Sequence, residues 1–283
     1  MKAPLPPLRE VIARHDLGAK KSLGQHFLLD LNITRKIARV AEASTGDLIL
    51  EIGPGPGGLT RALLEAGAEV IAIERDARCI GALAEVAAAY PGRLTLIEDD
   101  ALSAAERTLA GARVVKIVAN LPYNISTELL VKWLRANHGA QPPLWSMMAL
   151  MFQKEVADRI LAGPGSKTFG RLSVIAQAAS RPQRAFNLPA SAFAPPPKVD
   201  STVVLFRPSV LPLNNFRALE AVTQAAFGQR RKMLRSSLKS LFGDTLADAL
   251  GRAGVAETAR AEELTLDAFK SLAQSYSGLN SPR

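Results

Sequence analysis

Short apolar runs and helical patterns alternate along this 283-residue chain between Gly46 and about Tyr123. The apolar runs predict four strands, over Leu48–Ile52, Val70–Ile73, Leu94–Ile97 and Val114–Val118. The segments between the first three runs predict two helices, over Leu59–Ala66 and Ala77–Ala89. Strands that alternate with helices form a parallel sheet covered by helices on both faces, so this part of the chain is expected to be α/β.

The hydrophobic pattern changes near Pro208, and we place a domain boundary there. Before it, the sheet is completed by apolar or helical runs over Ser146–Met151, Lys154–Leu161 and Thr202–Phe206. Dense glycine and proline predict loops over Gly163–Gly170 and Phe193–Lys198. After it come only helical patterns, over Phe216–Phe227, Lys232–Phe242, Thr245–Ala253 and Leu266–Tyr276. The predicted organisation is a larger domain over residues 1–207 and a smaller all-helical domain over residues 208–283.

Composition excludes several classes of protein. Hydrophobic residues make up 48% of the chain and charged residues 22%, which is typical of globular proteins and not of disordered or fibrous ones. No run reaches the roughly 18 apolar residues of a membrane helix, and the first thirty residues contain no continuous apolar stretch of the signal-peptide kind. One cysteine, Cys79, and three separated histidines exclude a disulfide framework and predict no metal site. We therefore expect a cytoplasmic protein with no membrane or metal partner.

Charge is unevenly distributed along the chain. The net charge is +9, yet the segment from Glu42 to Glu106 holds 12 acidic and 4 basic residues, a net −8, which leaves +17 for the remainder. Five cations and no acid lie between Phe227 and Lys239. Such a segment suits a surface that follows nucleic-acid phosphates, and a solvated helix face is the alternative.

A glycine-rich turn, Gly53–Gly58, follows the first predicted strand. In an open parallel sheet this turn lies at the carboxyl ends of the strands, where ligands bind and where glycine lets the backbone approach them closely. The spacing is Gly-x-Gly-x-Gly, which fits a dinucleotide fingerprint only if Gly58 is counted as the third glycine. The preceding Glu51 and the acidic segment would repel a pyrophosphate, whereas S-adenosylmethionine carries a sulfonium cation and no phosphate. We interpret the turn as an S-adenosylmethionine site, with a tight structural turn as the alternative.

Acidic side chains end the next two predicted strands. Glu74, 21 residues beyond Gly53, can accept the hydroxyl groups of a ribose, a role that NAD and S-adenosylmethionine sites share. Asp100 follows the third strand and can accept the amino group of the cofactor adenine. Either acid by itself could be a solvated residue at a strand end, but three successive strands that each end in a group able to bind a ligand favour a cofactor site.

The fourth strand ends in Asn120-Leu121-Pro122-Tyr123, which resembles the Asn-Pro-Pro-Tyr signature of methyltransferases that act on exocyclic amino groups. An adenine amino nitrogen is conjugated with its ring and becomes nucleophilic when acceptors bind its two protons. The side-chain oxygen of Asn120 and the main-chain oxygen of Leu121 can supply these acceptors, and Pro122 restrains the backbone. Tyr123 offers one face to a base that has left its stack, and we predict that Phe193 on the proline-rich loop closes the other side.

These motifs in this order resemble bacterial, small-subunit members of the ribosomal RNA adenine dimethylase family. The likeness covers nearly the whole chain and rests on Lys21–Leu28, Glu51–Thr60, Glu74, Asp100–Ala101, Asn120–Ser126, Phe193–Val199 and Ala226–Lys232. It implies an α/β fold, with a Rossmann-like class I methyltransferase sheet and a smaller all-helical C-terminal domain. It also implies an S-adenosylmethionine-dependent enzyme that dimethylates N6 of two adjacent adenosines near the 3′ end of small-subunit (16S) rRNA, late in subunit assembly.

The resemblance further assigns roles to residues. His26, which stands where the family commonly has Asn, and Leu28 would fold over the cofactor, Gly53 and Gly55 would approach its methionine part, and Asn120 would touch both cofactor and target. The basic residues expected to bind RNA are Lys198, Arg230, Arg231, Lys232 and Arg235. The expected partner of the monomeric protein is small-subunit rRNA, within the small ribosomal subunit or its late precursor.

Other functions are open at this point. An assembly factor of the same fold could dock on the ribosome without methylating it, although the intact Asn120 and Tyr123 argue against this. A dehydrogenase would bind NAD, which the acidic turn disfavours. A near relative methylates large-subunit rRNA, but the Phe227–Lys232 segment and the proline-rich loop favour the small subunit.

Overall fold

This computed structural model describes residues 5–19, 24–209, 213, 215–229 and 231–279. The strands in this part of the chain are β1 Phe27–Leu28, β2 Leu48–Ile52, β3 Glu69–Glu74, β4 Leu94–Glu98, β5 Val115–Asn120, β6 Trp145–Gln153, β7 Ser180–Leu188, β8 Phe193–Ala194 and β9 Ser201–Pro208. The helices are α1 Leu8–Arg14, α2 Leu31–Val40, α3 Gly58–Glu65, α4 Ala77–Ala89, α5 Glu106–Ala110, α6 Ser126–Asn137, α7 Lys154–Leu161, α8 Arg171–Ala179, α9 Phe216–Gly228, α10 Leu234–Ser237, α11 Lys239–Phe242, α12 Leu246–Arg252 and α13 Leu266–Leu279.

Seven of these strands form one sheet in the order β4-β3-β2-β5-β6-β9-β7. The pairs β3–β4, β2–β3, β2–β5 and β5–β6 are parallel, and β9 joins β6 antiparallel. The predicted α/β sheet is therefore confirmed. The chain order reverses between β2 and β5, so a crevice opens there at the carboxyl ends of the strands, the usual place for a ligand in such sheets.

Local sequence explains where the helices next to this crevice begin. The side chain of Asp76 accepts a hydrogen bond from the Arg78 backbone N–H and so caps α4. Helix α3 starts after Gly57, whose φ of 87° lies in the left-handed region that glycine adopts without strain. Each helix thus starts within a few residues of the strand that precedes it, which places the intervening turns at the same sheet edge.

Two predicted elements differ from the structure. Residues predicted as loop at the start of Phe193–Lys198 form the short strand β8, because they pair with β1. The helix predicted over Lys232–Phe242 is two helices, α10 and α11, and it starts later than predicted. The backbone N–H groups of Leu234 and Arg235 donate to Ala259 and Glu257 carbonyls, so a contact distant in sequence sets the start of α10.

Helix α6 has no counterpart in the sequence analysis. Its buried side chains include Leu129, Leu130, Trp133 and Leu134. The sequence analysis predicted no element between the tetrapeptide Asn120–Tyr123 and the apolar run that starts at Ser146. The helix carries Lys132, whose side chain reaches the turn after β4 and donates to the Ala101 and Ala104 carbonyls.

The chain divides into two compact units. The first runs to Ala157 and resumes over Gln183–Arg207, and the second comprises Asp158–Pro182 and the chain from Pro208 onward. The second segment of this unit starts at Pro208, where the sequence analysis places the domain boundary. Residues 158–182, which the sequence places in the larger domain, group with the second unit.

Each unit has its own apolar core. In the first unit, α2 and α3 pack with the sheet through residues such as Ile37, Leu63 and Val118. In the second, α8, α9 and α13 surround Phe169, Leu219 and Phe269. Among the described residues no helix has the length and apolar character needed to cross a bilayer.

Candidate active site

The glycine turn forms the floor of a cavity at the carboxyl ends of β2, β3, β4 and β5. Gly53, Gly55 and Gly57 have φ values of 65°, 55° and 87°, which residues with a Cβ rarely adopt. A Cβ on Gly55 would lie 2.9 Å from Cε1 of Phe27, and one on Gly58 would lie 2.8 Å from the Leu28 carbonyl oxygen. The turn therefore packs tightly against β1 and leaves its backbone accessible to the cavity.

Glu74 is held beside this turn by two backbone groups. Its Oε2 accepts from the Gly55 N–H at 3.0 Å and its Oε1 accepts from the Asp76 N–H at 2.8 Å. Burial raises the pKa of Glu74 above its ordinary value. Because the carboxylate oxygens have further lone pairs, Glu74 remains able to accept hydroxyl groups from a ligand in the cavity.

Glu51 is the most buried acid in the cavity wall, with 1% of its surface exposed. Its Oε2 has no hydrogen-bond partner in the described part of the chain. Burial raises the pKa of Glu51 to about 8. A buried carboxyl group with one oxygen free of partners favours a cationic ligand and disfavours a phosphate, so this side of the cavity fits S-adenosylmethionine better than a dinucleotide. The sequence indicated the charge of Glu51 but not its unpartnered oxygen.

Asp100 lies on the turn after β4 and lines the same cavity. Its Oδ1 accepts from the Leu102 N–H at 2.9 Å, and its Oδ2 forms an ion pair with Nη1 of Arg75 at 3.0 Å. Arg75 also lines the cavity, and sequence reasoning missed it. The only sequence feature that could have predicted Arg75 as a cavity residue is its position directly after Glu74.

Asn120 ends β5 at the opposite wall, and its side-chain amide has a defined orientation. Nδ2 donates to the His26 carbonyl oxygen at 2.9 Å. Because that bond uses the nitrogen side of the amide, Oδ1 is left as an acceptor on the other side. Leu121, Pro122 and Tyr123 follow along the same wall of the cavity.

The rings of Tyr123 and His26 stack, with centroids 5.4 Å apart and planes at 27°. The Tyr123 hydroxyl shares a hydrogen bond of 2.7 Å with the Ser201 hydroxyl, and burial raises the pKa of Tyr123. Nδ1 of His26 donates to the Pro195 carbonyl at 2.8 Å. His26 therefore joins the Tyr123 ring to the proline-rich loop, and its imidazole covers one face of the tyrosine.

Phe193 and Leu28 are paired across the short β1–β8 ladder. Leu28 lines the cavity, but Phe193 is 3% exposed, packs in the apolar core of the first unit and is not in the cavity wall of the described structure. Contact between Phe193 and a target base requires this side chain to turn out of the core. That role stays a prediction.

The residues predicted to bind RNA are divided between the two units. Lys198 is exposed in the first unit, and Arg231, Lys232 and Arg235 are exposed in the second. None of these four side chains forms an ion pair with a described acid. Arg230 lies outside the described residues. The four exposed cations remain available for phosphate groups.

The sheet order, the glycine turn and the acids at successive strand ends define a class I methyltransferase that uses S-adenosylmethionine. The model of the family described as ribosomal RNA adenine dimethylase matches residues 17–277. The chain belongs to this family.

Named relatives and solved structures agree with this membership. The chain is 58% identical over 279 residues to "Ribosomal RNA small subunit methyltransferase A" of Xanthobacter autotrophicus, covering 98% of this chain and 96% of that one. It is 56% identical to the protein of the same name from Mesorhizobium japonicum, covering 96% and 98%. A dimethyladenosine transferase from Plasmodium falciparum has a TM-score of 0.74 at 27% identity, covering 89% and 98%. The 23S rRNA methyltransferase ErmE has a TM-score of 0.66 at 26% identity, covering 89% and 99%.

Proposed function

We propose that this protein dimethylates N6 of two adjacent adenosines near the 3′ end of small-subunit rRNA, with S-adenosylmethionine as methyl donor. Membership of the ribosomal RNA adenine dimethylase family supports the reaction, and relatives at 55–58% identity that are called small-subunit methyltransferases support the choice of subunit. The observation that supports the chemistry is the hydrogen bond from Asn120 Nδ2 to the His26 carbonyl. Because this bond uses the amide nitrogen, Oδ1 points away from His26 and is free to accept a hydrogen bond from a substrate.

The cofactor residues follow from the cavity wall. The backbone of Gly53 and Gly55 approaches the methionine part. A bound cation favours the ionised form of Glu51, whose pKa is about 8 in the ligand-free protein, and the ionised carboxylate then provides the countercharge. Glu74 accepts ribose hydroxyl groups and Asp100 accepts the adenine amino group, while His26 and Leu28 cover the site from the β1 side. When bound, S-adenosylmethionine supplies an electrophilic methyl group on a sulfonium centre.

The reaction of the target amine depends on acceptors that the chain provides. Oδ1 of Asn120 and the Leu121 carbonyl oxygen accept the two amino protons, which draws the adenine nitrogen out of conjugation and directs its lone pair at the methyl carbon. Tyr123 and His26 hold the base against the wall. The nitrogen would form the new carbon–nitrogen bond as the sulfur–carbon bond of the donor breaks, with S-adenosylhomocysteine as the leaving group and one amino proton released to solvent. A second S-adenosylmethionine would then supply the methyl group that replaces the remaining amino proton. Positioning and acceptor dipoles account for catalysis, and no covalent enzyme intermediate is needed.

Substrate engagement involves the exposed cations. Lys198, Arg231, Lys232 and Arg235 contact RNA phosphates, and Arg230, which is outside the described residues, belongs to the same basic segment. We infer that the substrate is the small subunit or its late precursor, that a monomer binds it, and that the protein works in the cytoplasm.

Transfer of labelled methyl groups from S-adenosylmethionine to unmethylated small ribosomal subunits tests the proposal directly. Nuclease digestion then identifies the modified nucleosides, and we expect dimethyladenosine at two adjacent sites. Large subunits serve as the control substrate and should accept no label. Label on large subunits alone, or cofactor binding without transfer to any subunit, would contradict the proposed substrate.

A further inference from the structure

The side-chain ammonium of Lys132, on helix α6, is fully occupied by three acceptors. Nζ donates to the carbonyl oxygens of Ala101 and Ala104, each at 2.8 Å, and forms an ion pair with Oε1 of Glu106 at 2.8 Å. An ammonium has three protons, so every one of them has a partner. With 24% of the side chain exposed, these charge-assisted bonds are partly shielded from water.

The backbone that Lys132 holds is the turn that carries Asp100. The Asp100 carbonyl accepts from the Ala104 N–H at 2.9 Å, and its Oδ1 accepts from the Leu102 N–H. Lys132 thus binds the residue directly after Asp100 and the residue that closes the turn. Residues 99–102 line the cavity, whereas Lys132 itself is absent from its wall and acts from behind the turn.

Glu106 makes this anchor rigid. It is 5% exposed and also accepts from Nε1 of Trp133 at 2.7 Å. The Trp133 ring is fully buried, and its carbonyl accepts from Nε1 of Trp145 at 2.9 Å. Lys132 and Trp133 are neighbours on α6, so the helix and the Asp100 turn are joined through one buried carboxylate. Polar clusters in which every group has a partner hold a single geometry.

We propose that Lys132 is a positioning residue that sets the selectivity of this methyltransferase for the adenine base of its cofactor. It holds the turn so that the Asp100 carboxylate meets the exocyclic amino group. The proposal rests on the proposed contact between Asp100 and the cofactor adenine. It adds a side chain outside the cavity wall that determines how well that contact is made.

The test compares two nucleosides that differ in the exocyclic group at C6 of the purine and in the protonation of the adjacent N1, which carries a proton only in the inosyl compound. S-Adenosylhomocysteine has an amino group at C6, and S-inosylhomocysteine has a carbonyl oxygen in its place. Their dissociation constants are measured by calorimetry on the full chain and its Lys132→Met variant. Wild type should bind the adenosyl compound more tightly than the inosyl compound. In Lys132→Met the ratio of the two dissociation constants should be about tenfold smaller, because an unanchored Asp100 distinguishes the two groups poorly.

Lys116→Met is the matched control. Nζ of Lys116 donates to the Glu42 carbonyl at 2.6 Å and pairs with Asp47 at 2.8 Å, so it also anchors a loop through one carbonyl and one carboxylate. It lies at the start of β5, away from the cavity. Lys116→Met should lower thermal stability and leave the adenosyl-to-inosyl ratio at the wild-type value.

A chemical rescue separates positioning from general damage. Lys132→Cys treated with 2-bromoethylamine regains an ammonium at nearly the same place, and the chain's other cysteine, Cys79, is buried. The modified variant should regain the wild-type ratio. Lys132→Gln, which keeps an uncharged NH2 donor group, replaces Lys132→Met if that variant does not fold.

The outcomes distinguish this inference from the proposed function. A wild-type ratio in folded Lys132→Met, in Lys132→Gln where it replaces that variant, or in unmodified Lys132→Cys would overturn the positioning role. Equal binding of the two compounds by wild type would instead contradict the Asp100–adenine contact. Failure of methyl transfer to small subunits with normal discrimination would contradict the proposed substrate and leave the positioning role supported.

Discussion

In the proposed mechanism, a single hydrogen bond prepares the side chain of Asn120 for chemistry. An amide can present either its oxygen or its nitrogen to a substrate, and the bond from Nδ2 to the His26 carbonyl selects the oxygen. The same His26 stacks on Tyr123 and donates to Pro195. At the scale of residues, His26 therefore organises both the acceptor and the aromatic surface of the site.

Replacing Asn120 by alanine removes the side-chain oxygen that we propose as an acceptor for the target amino group. We expect methyl transfer to fall by about 100-fold or more, the range found when one preorganised hydrogen-bonding group is removed from a reaction site, while the circular dichroism spectrum is retained. The measurement is single-turnover transfer to small subunits. Asn137→Ala is the control, because Asn137 also anchors a backbone group, the Trp145 N–H, far from the cavity. Unreduced transfer in Asn120→Ala would refute the assigned role.

Glu51 gives the ligand-free protein a predictable pH dependence. Its pKa is raised by burial from 4.5 to about 8, so between these values the folded protein holds a proton that the unfolded chain has released. Stability therefore falls as the pH rises through this window, by about 1.4 kcal/mol per unit at most. Glu51→Gln removes this pH dependence, so its melting temperature should exceed that of wild type by a margin that grows from pH 5 to pH 8.

The control for this experiment is Glu128→Gln, on the exposed side of α6. Its melting temperature should differ from wild type by a constant amount across the same pH range. Parallel curves for Glu51→Gln and wild type would mean that Glu51 is already charged in the folded protein.

Short elements decide the shape of the cavity. Strands β1 and β8 contain only two residues each, yet their pairing brings Phe27 and Leu28 over the glycine turn and fixes Phe193 in the core. No hydrophobic period is readable in two residues, which explains why the sequence predicted a loop for β8. Strands β2, β3 and β5 were predictable because buried parallel strands are nearly continuous apolar runs. Strand β4 lies at the sheet edge and is only partly buried, but it too contains a short apolar run.

Gly55→Ala tests the packing of the turn against β1. Gly55 and Gly92 both have positive φ, 55° and 72°, but of these two only Gly55 would bring a Cβ against another described residue, Phe27 at 2.9 Å. Both variants should lose roughly 1 kcal/mol of stability from backbone strain. Gly55→Ala should lose more and should also bind S-adenosylhomocysteine less tightly. Equal losses of stability in both variants, with unchanged binding of S-adenosylhomocysteine, would show that β1 moves to accommodate the added methyl group without cost.

At the scale of the whole molecule, the two units contain different functional features. The first contains the cavity and the acidic strand ends, and the second contains the exposed Arg231, Lys232 and Arg235 beside its own apolar core. The rings of Phe169, Phe227 and Phe269 meet in that core, with centroid separations of 6.1 Å and 5.6 Å. A separately packed core lets the second unit present cations without contributing to the cavity.

Reversing Arg231, Lys232 and Arg235 to glutamate should weaken binding to small subunits. The dependence of affinity on salt should also become shallower, by about one unit of log–log slope for each RNA phosphate that the protein no longer neutralises. The measurement is a filter-binding titration at several salt concentrations. Arg9, Arg39 and Arg252, exposed cations outside the segment, form the control triple. An unchanged slope after reversal of the first set would place those residues off the RNA.

The sequence by itself determined the order of the motifs and the sheet that aligns them. Glu51, Glu74, Asp100 and Asn120 each lie at or near the carboxyl end of a predicted strand, and parallel pairing then requires them to share one edge. Periodicity and glycine spacing are local properties, so they are readable without a structure. The family resemblance rested on these same local motifs.

Only the tertiary structure decided how those residues are held. Asn120 and His26 are 94 positions apart, Arg75 joins Asp100 by an ion pair, and Lys132 reaches the Asp100 turn from a helix that the sequence did not predict. Residues 158–182 also join the second unit through packing that no local pattern indicates. Such contacts depend on which surfaces meet when the chain folds, and a residue's neighbours in space are not encoded by its neighbours in sequence.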